Sequence, residues 1–124
     1  MTIIVAHNFY QQSGGEDRVF QAEIDLLRSR GHEVIPFRDD NRRIPKMNRA
    51  GLALSTLWNR DSYRRLSQLV RSSRARIVHF HNTFPLLSPA CYYAAKRAGA
   101  TVVQTLHNYR LLCPAATFFR AGRD

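Results

Sequence analysis

The sequence predicts a doubly wound α/β domain, in which a parallel β-sheet carries helices on both faces. Four apolar runs of five or six residues recur along the chain, and segments with apolar residues at helical spacing lie between them. Strands that alternate with helices in this way require right-handed crossovers between parallel strands. With 124 residues, of which 44% are hydrophobic, the chain has room for one domain with a single core.

The first strand is predicted from Thr2 to Ala6, and a loop that contains Gly14 and Gly15 follows it. A helix is predicted from Glu16 to Arg30, because acidic residues open this segment, basic residues close it, and apolar residues recur between them at helical spacing. Gly31 then takes the left-handed position that commonly follows a helix. The segment up to Gly31 is therefore one strand, one loop and one helix.

A second strand is predicted from Glu33 to Phe37. Pro36 favours an edge of the sheet or the end of a strand, because proline cannot donate a hydrogen bond to a neighbouring strand. Leu52 to Trp58 is predicted to form a short amphipathic helix. Asp61 is the predicted N-cap of the next helix, which carries apolar residues on one side and arginines on the other.

The third strand is predicted from Arg76 to Phe80 and the fourth from Thr101 to Leu106. The helix between them is bracketed by Ser88 as N-cap, Pro89 at the first helical position and Gly99 just past the end. Proline near the start and glycine after the end are typical of a helix. The second half of the chain therefore repeats the strand and helix alternation of the first.

The dipeptide His-Asn follows three of the four predicted strands, as His7–Asn8, His81–Asn82 and His107–Asn108. The carboxyl ends of parallel strands meet at one edge of the sheet, where open α/β sheets bind their ligands. Histidine and asparagine supply hydrogen-bond donors, acceptors and a group that titrates near neutrality. We therefore expect these six residues to line a polar cleft. The alternative is that an individual imidazole only bonds the backbone of a neighbouring strand.

Gly14 and Gly15 let backbone N–H groups approach an anion at the start of the next helix, although such a pair can also be only a turn. His79 and His81 share one face of a strand and would form a zinc site with His107. We predict no metal site, because no acidic or thiolate residue is near them in sequence and His79 is expected deeper in the sheet. The dinucleotide, P-loop, nucleophile-elbow and paired-carboxylate patterns do not occur in the sequence, which argues against those classes.

The formal net charge is +10, and eleven Lys or Arg residues against three Asp residues between Arg38 and Arg76 account for +8 of it. A basic set lies just before an apolar set: the basic set is Arg42, Arg43, Lys46 and Arg49, and the apolar set is Leu52, Leu54, Leu57 and Trp58. We expect this stretch to contact an anionic membrane surface or a lipid-phosphate acceptor. In the alternative, Leu54, Leu57 and Trp58 pack into the core and leave a solvated basic surface.

Cys91 and Cys113 are too few for a disulfide framework, so free thiols are expected. No apolar run approaches the roughly 20 residues that cross a bilayer. We therefore expect a soluble cytoplasmic protein, with peripheral attachment at the inner face of the membrane through the basic set.

Three blocks of sequence, HNFYQQSGGEDRVF, VHFHNTFPLLSP and QTLHNYRLLCPAATFF, take up much of the chain. Together with the segment that contains Leu27, Gly31 and His32 to Val34, they closely resemble the N-terminal lobe of family-four glycosyltransferases. The stretch from Arg42 to Arg76 matches that family only loosely.

The resemblance implies the GT-B fold, in which two Rossmann-like lobes face each other across a cleft, with the acceptor mainly on the first lobe and a nucleotide-sugar on the second. It implies that Gly14 and Gly15 approach the donor phosphates, that His107 lies beside the transferred sugar as the catalytic residue, and that the His81–Asn82 turn lines the same cleft. It also implies transfer with retention at the anomeric carbon. The departing phosphate then helps to deprotonate the acceptor, and no metal or other cofactor is needed.

A donor-binding lobe with a Glu-x7-Glu motif is part of the family pattern and does not occur in this sequence. We therefore expect residues 1–124 to be one incomplete N-terminal lobe that is inactive alone, and its fourth strand to be an open edge that pairs with a second copy. Two alternatives are a basic α/β module that binds nucleic acid and the first lobe of a sugar-nucleotide epimerase. The first is disfavoured because few aromatic residues stand among the arginines, and the motifs of the second are not evident.

Overall fold

The computed structural model describes residues 1–9, 15–40, 49–84, 86–109 and 112–113. These residues form strands and helices in alternation, with two helices between the second and third strands. In chain order the elements are β1 (Thr2–Phe9), α1 (Gly15–Ser29), β2 (Glu33–Asp40), α2 (Arg49–Leu57), α3 (Arg60–Ser73), β3 (Ile77–Asn82), α4 (Ala90–Arg97) and β4 (Thr101–Gln104).

The described strands form one sheet, in the order β2-β1-β3-β4, and every pairing in it is parallel. β1 lies in the middle and is buried over most of its length, as a strand covered on both faces should be. β2 lies at one end of this order, so that Pro36 occupies the edge position that its missing N–H predicts. The predicted Rossmann-like α/β fold with a parallel sheet is confirmed.

The core has two parts, one on each face of the sheet. On one face, Phe20 and Ile24 of α1 form a buried cluster with residues of β1 and β2. On the other face, Leu66 of α3 and Ala94 of α4 form a larger cluster with Phe80 of β3. Because successive residues of a strand point to opposite faces, β1 contributes to both clusters. Helices therefore cover both faces, as the doubly wound arrangement requires.

Three strands run beyond their predicted ends, because polar side chains do not stop a strand whose backbone groups still find partners. β1 continues to Phe9, β2 to Asp40 and β3 to Asn82, whereas β4 ends early, at Gln104. The register between β1 and β3 shifts just after Ala6, as in a β-bulge.

This shift places His81 between two paired positions of β3. Ala6 pairs with Phe80, and the next residue of β1, His7, pairs with Asn82. His81 is therefore the extra residue of the bulge. Bulges of this kind often change the direction of a side chain at the rim of a sheet.

The N-cap of α3 is Asn59, so the prediction of Asp61 is wrong. Oδ1 of Asn59 accepts hydrogen bonds from the backbone N–H groups of Asp61 (3.0 Å) and Ser62 (3.1 Å). Its Nδ2 group donates to the backbone oxygen of Leu86 at 2.6 Å. One side chain therefore caps α3 and holds the segment that leads into α4.

The helix α4 begins at Ala90, with Pro89 as its N-cap residue, so the predicted N-cap Ser88 lies one position too early. The Ser88 hydroxyl still accepts a hydrogen bond from the N–H of Ala90 at 3.3 Å, and a second one from the N–H of Asn59 at 2.9 Å. Gly99 has a φ of 93° just past the end of α4, as predicted.

The helix α2 matches the predicted short helix, but it buries none of its residues. Leu54 is 68% exposed and Leu57 is 72% exposed, and Trp58, just after the helix, is 45% exposed. The alternative in which these three residues pack into the core is therefore wrong. Among the helices of the described segments, none combines the length and the apolar character that a bilayer crossing requires.

Candidate functional site

The three His-Asn pairs lie at the carboxyl edge of the sheet, but only one of them lies in a loop. His7–Asn8 and His81–Asn82 belong to the last residues of β1 and β3, and His107–Asn108 follows the end of β4. The prediction that each pair follows the end of its strand is therefore wrong for the first two. His7, Asn8 and Asn82 pair with neighbouring strands, which keeps the backbone extended.

His7 is fully buried under α1 and joins that helix to the sheet. Its Nε2 atom lies 2.7 Å from Oδ1 of Asp17, and its ring stacks on Phe20 with the centroids 5.0 Å apart. Burial lowers the pKa of His7, and the hydrogen bond with Asp17 opposes part of this shift. His7 therefore anchors the first half of α1 and does not lie on the wall of the cavity described below.

Asn8 and Asn82 are buried and join the end of β1 to the loop after β3. Nδ2 of Asn82 donates to the backbone oxygen of Asn8 at 2.9 Å, and Nδ2 of Asn8 donates to the backbone oxygen of Phe84 at 2.6 Å. Oδ1 of Asn82 also accepts from the N–H of Phe84 at 3.2 Å. These bonds set the path of the loop, and only Asn82 of the two asparagines reaches the cavity wall.

His81 and His107 contact each other directly. Nδ1 of His81 lies 2.9 Å from Nε2 of His107, and the two rings stack with their centroids 5.2 Å apart. Burial lowers the pKa of His81 to about 4, and the neighbouring histidines add to this shift. His81 is therefore neutral near pH 7. One proton lies between Nδ1 of His81 and Nε2 of His107, since one of these two nitrogens must donate and the other accept.

A cavity of about 470 Å³ opens beside this pair. His81 and His107 form part of its wall, together with Asn82, Tyr92 and Gln104. Its volume is within the roughly 300 to 1,000 Å³ that is typical of small-molecule sites. It also lies beyond the carboxyl ends of the strands, where open parallel sheets bind ligands. The cavity is therefore the candidate ligand site of the described residues.

Gln104 and Tyr92 belong to this site, and the sequence analysis missed them. Repetition marks the His-Asn pairs in the sequence, whereas Gln104 is a single polar residue at the end of an apolar strand. Its Nε2 group donates to the backbone oxygens of His81 (3.0 Å) and Thr105 (2.6 Å), and its Oε1 accepts from the Tyr92 hydroxyl at 2.7 Å. Burial raises the pKa of Tyr92, so its hydroxyl stays protonated.

The start of α1 reaches the same edge of the sheet. Gly15 is the first residue of α1, and Nδ2 of Asn108 donates to Oε1 of Glu16 at 3.2 Å. This contact places Gly15 next to the loop that carries His107. A Cβ atom at Gly15 would meet no atom within 4 Å, so its surroundings are open. Gly14 lies outside the described residues.

Of the basic set, only Arg49 lies within the described residues, where it is exposed at the start of α2. Arg42, Arg43 and Lys46 lie outside them. The exposed Leu54 and Leu57 come after Arg49 in the same helix, so the order of charge and apolar surface that the sequence predicts is present in α2.

Glu23 is a third residue that the sequence analysis missed. It lies beside His79 and His81, with its Oε1 against Nδ1 of His79 and its Oε2 3.0 Å from Nε2 of His81. The prediction of no metal site relied on the absence of an acidic residue nearby in sequence, but the fold brings Glu23 to this position from α1. A signal existed, since Glu23 follows the core residue Phe20 by three positions and so lies on the side of α1 that faces the sheet.

The family model of Glycosyltransferase Family 4 matches residues 13–122 of this chain. The match extends over most of the chain and includes α1, the end of β3 and the residues that follow β4. A comparison with curated proteins and a comparison with solved structures find no match. The chain therefore belongs to glycosyltransferase family 4.

Proposed function

We propose that this chain supplies the acceptor-side lobe of a retaining glycosyltransferase. The enzyme would move a hexose-type sugar from a nucleotide-sugar to a hydroxyl group of a glycan or a lipid-linked acceptor. The observation that carries this proposal is the cavity at the carboxyl edge of the sheet, with His107 held at its wall by His81. Membership of the family gives the class of reaction, and the cavity supports the place where the sugar would lie.

In this proposal His107 is the catalytic residue that contacts the transferred sugar. His81 and Gln104 act as positioning residues, because one holds the ring of His107 and the other bonds the backbone oxygens of His81 and Thr105. Preorganised donors of this kind stabilise a transition state without having to reorganise. As the resemblance implies, an oxygen of the departing phosphate takes the acceptor proton, so that no protein base is needed.

The donor phosphates are assigned to the start of α1, next to Gly14 and Gly15. Backbone N–H groups at the start of a helix attract anions, and the contact between Asn108 and Glu16 brings this start close to His107. The carboxylate of Asp17 is turned toward His7. An anion would therefore approach the start of α1 from the side of Gly14 and Gly15. The rest of the nucleotide would be held by a second lobe that this sequence does not contain.

The test is turnover by the full-length enzyme that contains this lobe. His107→Ala is expected to lower kcat on the order of 100-fold, because it removes an interaction with the reacting sugar. His32→Ala is the matched control, since His32 lies just before β2 and therefore at the amino edge of the sheet. Turnover is measured as release of nucleoside diphosphate from UDP- and GDP-sugars in the presence of lipid-linked acceptors.

Wild-type turnover in the His107→Ala variant would remove the catalytic assignment. NMR of the anomeric proton in the product decides between retention and inversion, and inversion would refute the proposed mechanism. Residues 1–124 alone are expected to give no turnover, because catalysis requires donor and acceptor to be held together.

We also propose that α2 brings the enzyme to an anionic membrane surface. Exposure of Leu54, Leu57 and Trp58 next to the basic set supports this proposal, because such a surface can enter the headgroup layer while its charges meet phosphates. Each basic residue near an acidic leaflet contributes about 1 kcal/mol, so binding should be reversible and should weaken with salt.

Flotation with acidic and with neutral liposomes tests this proposal. Changing Leu54 and Leu57 to Ser is expected to reduce flotation with acidic liposomes, and changing the four residues of the basic set to Glu is expected to abolish it. Leu26→Ser is the control, because Leu26 is an exposed leucine of α1, outside the surface in question. Equal flotation with both kinds of liposome would contradict the proposal.

A further inference from the structure

A group of three potential metal ligands lies between α1 and β3, and it includes His81 of the His81–His107 pair. The group, called here the Glu23 cluster, consists of Glu23, His79 and His81. One ligand atom from each residue lies within 4.8 Å of the other two. Around a tetrahedral zinc ion the ligand atoms are roughly 3.5 Å apart, so small side-chain rotations suffice to close the group on one ion. Two histidines and one glutamate are also a common ligand set for zinc with an open fourth position.

The second ring nitrogen of each histidine already has a partner. Nε2 of His79 lies 2.8 Å from Oγ1 of Thr105, and Nδ1 of His81 lies 2.9 Å from Nε2 of His107. In metal sites the ligating histidines are oriented in this way, by a hydrogen bond at the nitrogen that does not bind the metal. Nδ1 of His79 and Nε2 of His81 therefore both face Glu23 with their rings held in place.

Nε2 of His81 is buried and makes no hydrogen bond. Oε2 of Glu23 is 3.0 Å away, but the direction of this contact does not form a hydrogen bond. A buried nitrogen without a hydrogen bond is unfavourable, and a cation between the three side chains would satisfy it. Glu23 and His79 keep 22% and 15% of their side chains exposed, which gives an ion a path from solvent.

We propose that the Glu23 cluster binds one zinc ion, with His79 Nδ1, His81 Nε2 and the Glu23 carboxylate as ligands. Imidazole and carboxylate together suit a divalent transition metal. This site is additional to the proposed transfer reaction, in which no metal takes part, and it stands whether or not that reaction is correct.

Zinc would also determine the direction of the hydrogen bond between His81 and His107. With the metal on Nε2, neutral His81 carries its proton on Nδ1 and donates it to Nε2 of His107. Neutral His107 must then carry its own proton on Nδ1. The ion would therefore select one tautomer of the histidine at the cavity wall, although it does not touch the cavity itself.

The test is titration of the tag-free, EDTA-dialysed protein with zinc chloride by isothermal titration calorimetry. One equivalent is expected to bind, and Glu23→Gln and His79→Gln should each weaken binding by at least tenfold. Thr105→Val, which removes only the hydroxyl that orients His79, should weaken it by about tenfold. His32→Gln and Cys113→Ser are the controls, and both should bind zinc as the wild type does.

Circular dichroism melting without zinc shows which variants are folded, and only folded variants are compared. Long-range ¹H–¹⁵N correlation spectra read the tautomers directly, and zinc should move the proton of His107 to Nδ1. Absence of saturable binding, or binding that Glu23→Gln and His79→Gln leave unchanged, would overturn the proposal.

Discussion

Cys91 and Cys113 have different surroundings, and their reactivity should differ accordingly. The thiol of Cys91 is buried in α4, where it donates to the backbone oxygen of Leu87 at 2.9 Å. Burial raises the pKa of Cys91 to about 12, whereas Cys113 is partly exposed. Because the thiolate is the reactive form, Cys91 should be inert in the folded protein.

The native protein is therefore expected to react with one equivalent of Ellman's reagent at pH 8, and with two after unfolding in guanidinium chloride. Cys113→Ser should remove the reactivity of the native protein and leave one thiol in the unfolded protein. Rapid reaction of two thiols under native conditions would contradict the burial of Cys91.

His7 should make stability dependent on pH. Its pKa is lowered in the folded protein, mainly by burial, so the unfolded chain, with a histidine pKa near 6.5, takes up the proton first as the pH falls. The contribution of His7 is therefore fully present above about pH 6.5 and is lost below it. The charged or titratable groups that act on it are Asp17, Glu16 and His107.

The midpoint of urea unfolding, measured in EDTA, is therefore expected to fall between pH 7.5 and pH 5.5. His7→Gln, which keeps a donor for Asp17 and removes the titrating group, should make this fall smaller. The fall should not vanish, since the pKa of His81 is also lowered. An identical pH dependence in the variant would show that His7 does not contribute.

At the scale of elements, Asn59 is the connection between two helices. Its side chain caps α3 through Asp61 and Ser62 and also donates to Leu86, in the segment before α4. Asn59→Ala is expected to lower the free energy of unfolding by about 1 to 2 kcal/mol, because it removes the N-cap. The measurement is urea unfolding followed by circular dichroism.

Asn59→Asp separates the two contributions. Aspartate caps a helix as well as asparagine does, but it has no amide group to donate to Leu86. Its loss of stability should be smaller than that of Asn59→Ala. Equal losses in the two variants would mean that the contact with Leu86, and not the cap, dominates.

The elements themselves could be predicted from the sequence, whereas several of their ends could not. Apolar runs and helical spacing are local signals, and they identified each strand and helix of the described residues. The end of β1 was missed because His7 and Asn8 are polar and yet pair with β2 and β3. The choice of Asn59 over Asp61 depends on Leu86, which is distant in sequence.

The same distinction applies to the site. Repetition of the His-Asn dipeptide correctly predicted that His81 and His107 lie at one edge of the sheet, because parallel strands bring their carboxyl ends together. The spacing from Phe20 could place Glu23 on the sheet-facing side of α1, but its contact with His79 could not be predicted, since it joins residues 56 positions apart. Contacts of this kind arise from the packing of α1 on β3.

At the scale of the whole molecule, the sheet ends at β4 within the described residues. Val103 of this strand is 41% exposed, and an unpaired strand edge recruits other strands. We therefore expect the protein to associate at high concentration through β4. Sedimentation velocity over a range of concentrations measures this association.

Val103→Lys should weaken the association, because a charge on an edge strand opposes pairing. Val19→Lys is the matched control, since Val19 is similarly exposed (46%) but lies on α1. A protein that stays monomeric at all concentrations would contradict the expected edge pairing and favour an edge that other residues of the chain cover.

The central position of β1 has a consequence for how the chain folds as it is synthesised. A hydrogen bond between β1 and β2 joins residues 31 positions apart in the chain. The hydrogen bonds between Asn8 of β1 and Asn82 and Phe84, at and after the end of β3, join residues 74 and 76 positions apart. A nascent chain can therefore assemble β1, α1 and β2 early, whereas the other side of β1 must wait for β3. Until β3 and then α4 have followed, the face of the sheet that α3 and α4 cover stays open to water and to other chains. Long-range closure of this kind slows folding, so the interval before α4 emerges is when this protein is most exposed to aggregation.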